Sequence, residues 1–201
     1  MIEAVLFDYG GVLTPAGEAG SNLRRLGEFL DYRIEELEEA WHEVYPRLNK
    51  GHIDEEGFWA HLGRRLGQAM PQERSRYWRW TDFEHHSPEI TTLVDGLRRR
   101  GIMTGILSNV LTPIAAYLKE RGGYEGFDPV VLSCEVGYMK PEREIYELAL
   151  LRVGRPGSQV LFIDDREANL EPARELGMAT VLARDPNQIG REVRDAIGLA
   201  P

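Results

Sequence analysis

The chain contains a single cysteine, Cys134, in 201 residues, so an internal disulfide is excluded. A lone thiol fits a reducing compartment, and the expectation is a cytoplasmic protein with no covalent staple. Positive charge is scarce as well: 24 Lys and Arg stand against 33 Asp and Glu, for a formal charge of -9. A field of that sign repels nucleic acid and anionic membrane surfaces, so neither is expected as a partner. It also repels phosphorylated molecules at long range, so any phosphate site must be positive locally. Long hydrophobic runs are missing too. The longest uncharged stretch, Gly101 to Leu118, is broken by Ser108, Asn109 and Pro113, and is too polar to span a bilayer. The N-terminal MIEAVLFDYG has neither a basic start nor a small-residue cleavage site, so a signal peptide is not expected.

What is present suffices for a core. Hydrophobic residues make up 42% of the chain, and a chain of this length buries roughly 70% of its unfolded surface. Length alone allows one large domain or two small ones. Ile2 to Phe7 is a short apolar run that ends at Asp8 and a Gly-Gly pair. Strands buried on both faces of a parallel sheet look like this. The pattern recurs at Gly101–Leu107 before Ser108-Asn109, at Val160–Ile163 before Asp164-Asp165, and at Ala179–Ala183 before Arg184-Asp185. A further apolar stretch, Pro129–Leu132, precedes Ser133. Between them lie helical patterns. Thr112 is placed to cap a helix that starts with Pro113 and ends at Gly122-Gly123; Pro141 opens another that runs to about Val153; and Glu167–Leu176 is closed by Gly177. Alternating strands and helices predict an α/β fold with a doubly wound parallel sheet.

Residues from about 20 to 82 differ. They lack strand-like runs and carry amphipathic helical patterns such as Ile34–Leu48 and Asp54–Leu66, with Asp54 as N-cap. All four tryptophans, Trp41, Trp59, Trp78 and Trp80, fall here and read as core filling at helical spacing. The segment reads as a four-helix insertion after the first strand, joined to the rest by Thr14–Gly20 and Asp82–Pro88. Residues 1–19 and 83–201 then form the α/β part and residues 20–82 the helical part.

In an open α/β sheet, ligands bind beyond the carboxyl ends of the strands. Those ends carry Asp8, Ser108, Asn109 and the pair Asp164-Asp165, and Gly137-Tyr138-Met139-Lys140-Pro141 adds a lysine. Carboxylates at Asp8 and Asp165 would repel each other unless a cation sat between them. Two carboxylates, a backbone carbonyl and waters make an all-oxygen site suited to Mg²⁺. Ser108 and Asn109 can donate hydrogen bonds to phosphate oxygens, and Lys140 supplies the positive charge that the net field lacks. Gly10-Gly11 lets backbone N–H groups approach an anion closely. Elsewhere, His85-His86 reads as an exposed linker pair and Arg98-Arg99-Arg100 as a solvated helix end. Arg166 and Glu167 read as charges that hold the metal loop, and Asn169 as its brace.

The stretches FDYGGVLTP, ILSN, GYMKPEREIY and FIDDREANLEPARELGM resemble, in order, the four signature motifs of the haloacid dehalogenase-like superfamily. The last is similar to that of the N-terminal phosphatase domain of soluble epoxide hydrolases and of related small bacterial phosphatases. The resemblance implies a Mg²⁺-dependent phosphatase with Asp8 as the nucleophile that becomes an aspartyl phosphate. Ser108 and Lys140 would hold the phosphoryl group, the Gly10 carbonyl and Asp165 would ligate Mg²⁺ directly, and Asp164 would bind it through water. The helical insertion matches the family's small cap, which selects substrate; Asn49-Lys50-Gly51-His52 is one candidate cap loop. A small phosphorylated metabolite is the expected substrate, and a monomer or homodimer the expected assembly.

One departure stands out. Most phosphatases of this resemblance carry a second aspartate two residues after the nucleophile, as general acid and base, where this chain has Gly10. General acid–base catalysis contributes about 10²–10⁴-fold. Gly10 keeps open the alternative of a phospho-ligand-binding protein that has lost turnover. A 2-haloacid dehalogenase, which by the resemblance shares the fold and the aspartate nucleophile, is the other alternative, against which the Asp164-Asp165 pair argues.

Overall fold

The computed structural model describes residues 1–15, 21–78 and 86–199. The apolar runs form one parallel sheet: β1 (Ala4–Phe7), β2 (Met103–Ser108), β3 (Val130–Leu132), β4 (Val160–Asp164) and β5 (Ala179–Leu182). Their order is β3-β2-β1-β4-β5. β1 begins two residues later than its apolar run, and β2 begins at Met103 because Gly101, with φ +73°, still belongs to the turn. Side chains of β1 alternate between two cores. Val5 and Phe7 join one with Ile90, Ile114 and Val193, whereas Ala4 and Leu6 join the other with Tyr146 and Leu170. Helices thus cover both faces, which is why the strands read as continuous apolar runs.

Three α-helices follow β1: α1 (Ser21–Leu30), α2 (Ile34–Asn49) and α3 (Glu55–Leu66). Asp54 caps α3 by accepting from the Gly57 N–H at 2.8 Å, and Gly67 ends it in the left-handed region. A 3₁₀ turn over Arg74–Trp78 comes next, so among the described residues the insertion holds three α-helices and this turn rather than four helices. Trp41, Trp59 and Trp78 are buried as expected, with Trp59 and Trp78 packed at 5.9 Å; Trp80 lies outside the described residues, as do most of the two joining segments.

The remaining helices are α4 (Pro88–Arg98), α5 (Thr112–Glu120), α6 (Ser133–Val136), α7 (Arg143–Val153), α8 (Glu167–Glu175) and α9 (Pro186–Ala196). Two expected starts shift. Leu111, not Thr112, precedes α5, and Thr112 points its hydroxyl at the Leu48 carbonyl, 3.5 Å away. Pro141 lies two residues ahead of α7, whose N-cap position is Glu142, because the Lys140 loop turns before the helix begins. From β1 the chain winds outward through β2 and β3, then returns to the other side of β1 for β4 and β5. The crevice at that reversal opens between the carboxyl ends of β1 and β4. There Asp8 follows Phe7, and its N–H donates to the Ile163 carbonyl at 2.9 Å, so backbone register alone brings Asp8 beside Asp164.

Candidate active site

Three carboxylates converge in the crevice: Asp8, Asp164 and Asp165 offer ligand oxygens within 4.8 Å of one another. The fully buried Lys140 ammonium lies 2.9 Å from Asp8 Oδ2 and 2.6 Å from Asp164 Oδ2. Burial works to lower the lysine's pKa, but the two carboxylates outweigh it and hold Lys140 charged. Burial pushes the Asp8 carboxyl up to about 6, against the pull of Lys140 and a hydrogen bond from Ser108. Asp165 is exposed toward the cleft, and its carboxyl is raised by partial burial and then by Asp164. One lysine among three carboxylates leaves a negative surplus in an all-oxygen donor set, which fits a hard divalent cation.

Each acid has a different surrounding. Asp164 Oδ1 accepts from the Arg166 N–H and from Asn169 Nδ2, both at 2.9 Å, while Oδ2 takes Lys140. Its lone pairs are largely engaged by protein donors. Asn169 is therefore the expected brace, itself held by Tyr146, whose hydroxyl donates to the Asn169 carbonyl at 2.7 Å. Glu167 pairs with Arg174 at 2.5 Å rather than with Arg166. Gly11 must be glycine twice over: its φ is +80°, and a Cβ there would lie 2.5 Å from Asp165 Oδ2. The Asp8 loop is closed by Tyr9, whose carbonyl accepts from the N–H groups of Leu13 and Thr14, both at 3.0 Å.

The cleft has a volume of about 270 Å³ and is lined by Asp8, Gly10, Gly11, Ser108, Asn109, Lys140 and Asp165, all expected from the sequence. Asn109 has a role beyond the expected one. Its Oδ1 accepts from the Lys140 N–H and its Nδ2 donates to the Lys140 carbonyl, both at 2.8 Å. The side chain thus positions the lysine loop. Sequence reasoning missed the contribution of the insertion: Asn22, Tyr45 and Asn49 also line the cleft. Asn49 belongs to the candidate cap loop, but nothing in the sequence pairs it with Ser133, 84 residues away, whose Oγ donates to Asn49 Oδ1 at 2.7 Å. His86 is not an exposed linker residue: its ring packs edge-on to Tyr9 at 5.4 Å, and burial lowers its pKa; His85 lies outside the described residues. Nor is Arg98 merely solvated, because it donates to Thr104 Oγ1 and to the Gly126 carbonyl and stacks on Phe127.

The chain belongs to the haloacid dehalogenase-like hydrolases, whose family model matches residues 2–177. Among curated proteins, it is 24% identical to the sesquiterpene phosphatase astK of Aspergillus oryzae, over 98% of this chain and 97% of that one. It is 33% identical to the bifunctional epoxide hydrolase 2 of Rattus norvegicus over 51% of this chain, but spans only 19% of that protein. Solved structures share the fold. A predicted HAD-like family hydrolase of Porphyromonas gingivalis superposes with a TM-score of 0.78 at 26% identity, covering 96% of this chain and 98% of that one. A HAD family enzyme of Bacteroides thetaiotaomicron, in complex with magnesium and inorganic phosphate, gives 0.69 at 24%, covering 92% and 96%. The L-2-haloacid dehalogenase of Xanthobacter autotrophicus gives 0.59 at 22%, covering 100% and 85%. No helix among the described residues is long and apolar enough to cross a membrane.

Proposed function

We propose that this chain is a Mg²⁺-dependent phosphatase that hydrolyses a small phosphomonoester through an aspartyl phosphate on Asp8. The observation that carries the reading is the Asp8–Lys140–Asp164 arrangement with Asp165 beside it: a nucleophile, one fixed cation and an open acidic ligand meet in one cleft. Asp8, the Gly10 carbonyl and Asp165 would hold Mg²⁺, and Asp164, engaged by three protein donors, would reach it through water. When bound, the cation offsets the carboxylate charge and the charge of the phosphoryl group. Lys140, Ser108, the free amide hydrogen of Asn109 and the backbone N–H groups of Gly10 and Gly11 receive phosphoryl oxygens. Asp8 attacks phosphorus as the ester P–O bond breaks and the alcohol leaves. Water then attacks the same phosphorus, releasing phosphate and restoring Asp8. Residues 20–82 act as a cap over the core formed by 1–19 and 83–201, with Val110, Leu111, Ile114 and Met139 offering the alcohol portion an apolar wall.

The named phosphatase among the relatives and the magnesium and phosphate complex among the structures support this reading. A dehalogenase does not need the acidic surplus seen here. Phosphate release from a panel of phosphorylated metabolites, with Mg²⁺ and with EDTA, tests it. Release that depends on Mg²⁺ is expected; halide release from a 2-haloacid with no phosphate release would overturn it.

A further inference from the structure

An alcohol can leave a phosphomonoester easily only if its oxygen gains a proton, and Gly10 has no side chain to give one. The described residues lining the cleft include no histidine and no glutamate. The Lys140 ammonium is held between Asp8 and Asp164. Tyr9 turns its ring to Tyr124 and His86, and its hydroxyl lies where a Cβ on Gly123 would come within 2.7 Å. Asp165 is assigned to the metal, so among the described residues of the cleft Tyr45, on α2, is left.

Its hydroxyl ends a chain of hydrogen bonds whose direction is set by chemistry. The Val110 N–H can only donate, and does so to Ser133 Oγ at 2.9 Å. Ser133 passes its own proton to Asn49 Oδ1 at 2.7 Å, closer than the Val110 carbonyl at 3.3 Å. That fixes the Asn49 amide, whose Nδ2 donates to Tyr45 Oη at 3.3 Å. Tyr45 Oη is thus an acceptor from Asn49, which leaves its own proton uncommitted to that partner, and the residue lines the cleft. Asn49 and Ser133 are fully buried, and the Tyr45 ring packs on Trp41 at 4.8 Å, so the arrangement is rigid. Burial and the nearby Asp8 charge raise the phenol's pKa, which keeps it protonated.

We propose that Tyr45 is the general acid of the reaction, donating its proton to the leaving-group oxygen in place of the absent carboxylate; this rests on the phosphatase reading. As Asp8 attacks, the electron pair of the breaking P–O bond moves to the ester oxygen, which takes the Tyr45 proton and leaves as the alcohol. An aliphatic alkoxide is a far stronger base than a phenolate, so the transfer runs downhill. In the second half, the tyrosinate takes one proton from the attacking water, whose oxygen bonds to phosphorus and whose other proton leaves with phosphate. Tyr45 is then restored.

The test compares Tyr45→Phe with wild type on p-nitrophenyl phosphate, whose leaving group needs little protonation, and on β-glycerophosphate, whose leaving group needs much. Expected is a loss of about 10²-fold or more in kcat on the alkyl ester, against a loss of under about threefold on the aryl ester. Asn49→Ala, which unseats the tyrosine, should skew the two substrates in the same direction by a smaller ratio. Equal losses on both esters, or none on either, would overturn the assignment while leaving the phosphatase reading intact. A wild type that releases phosphate from neither ester nor from any member of the metabolite panel would sink the reading itself, and the assignment with it.

Discussion

The two sides of the cleft are built in different ways. On the sheet side, Asp8 and Asp164 sit one residue past and at the end of paired strands, so parallel backbone hydrogen bonds set their spacing. Lys140 then locks to both of them. On the insertion side, aromatic packing does the holding: Trp59 touches Phe58, Tyr77 and Trp78, and only a few polar groups reach the cleft. Under the proposed phosphatase reading, the phosphate chemistry common to any phosphomonoester falls to the rigid sheet edge. Under the proposal for Tyr45, the handling of the leaving group falls to the helical side, which brings Tyr45 and Asn49 to the cleft.

The sharpest way to test that division is to disable the sheet side alone. Asp8→Asn is nearly isosteric, and the amide is a far poorer nucleophile. The expected loss in kcat is on the order of 10⁴-fold or more, with thermal stability unchanged or slightly raised, since one carboxylate leaves a crowded acidic cluster. Near wild-type phosphate release would contradict the covalent route. Lys140→Met comes next. It leaves Asp164 buried without its cation, and a stability loss of about 3–5 kcal/mol is expected from urea denaturation. A loss under about 1 kcal/mol would mean that Asp164 finds water or another donor.

Trp59→Ala probes the other side. Removing a fully buried indole should cost about 3 kcal/mol. If the helical part is supported by its own packing, near-ultraviolet circular dichroism should lose the aromatic signal at lower urea than the far-ultraviolet ellipticity of the remaining structure. One coincident transition would show that the two regions unfold as a unit and would blur the comparison. The smallest effect is expected from Lys50→Ala. Lys50 pairs with Glu142, linking the end of α2 to the residue just past the Lys140 loop. Both side chains are partly exposed, so the stability cost should stay below about 1 kcal/mol. Under the cap proposal, kcat/KM should fall by less than about threefold, an amount of the same small energy. A tenfold change would make this pair a working part of closure.

Much of the sheet side was legible in the linear chain because strand ends have a local signature. An apolar run followed by Asp8, or by Asp164-Asp165, needs no partner to be recognised. The Asp54 cap and the tryptophan core were legible for the same reason. Other readings failed where a local pattern met a distant group. Thr112 looked like a cap but turns to Leu48; His86 looked like a linker but packs on Tyr9; Arg98 looked solvated but reaches Gly126. Gly51 shows the same limit: a Cβ there would lie 2.1 Å from the Cys134 carbonyl oxygen, an approach between segments that no spacing discloses.

By itself, then, the sequence determined the parallel α/β core, its family, and the acidic and basic residues that its strand ends carry, because hydrophobic period and chain order are local properties. Only the tertiary structure decided how those groups are shared out. It placed Lys140 between Asp8 and Asp164, turned Asn109 onto the Lys140 backbone, and engaged Asp164 with donors while leaving Asp165 open. It also joined Val110, Ser133, Asn49 and Tyr45 into one directed chain. A hydrogen bond is decided by distance and by which partner holds the proton, and residues far apart in sequence acquire both only when the packed elements bring them within about 3 Å.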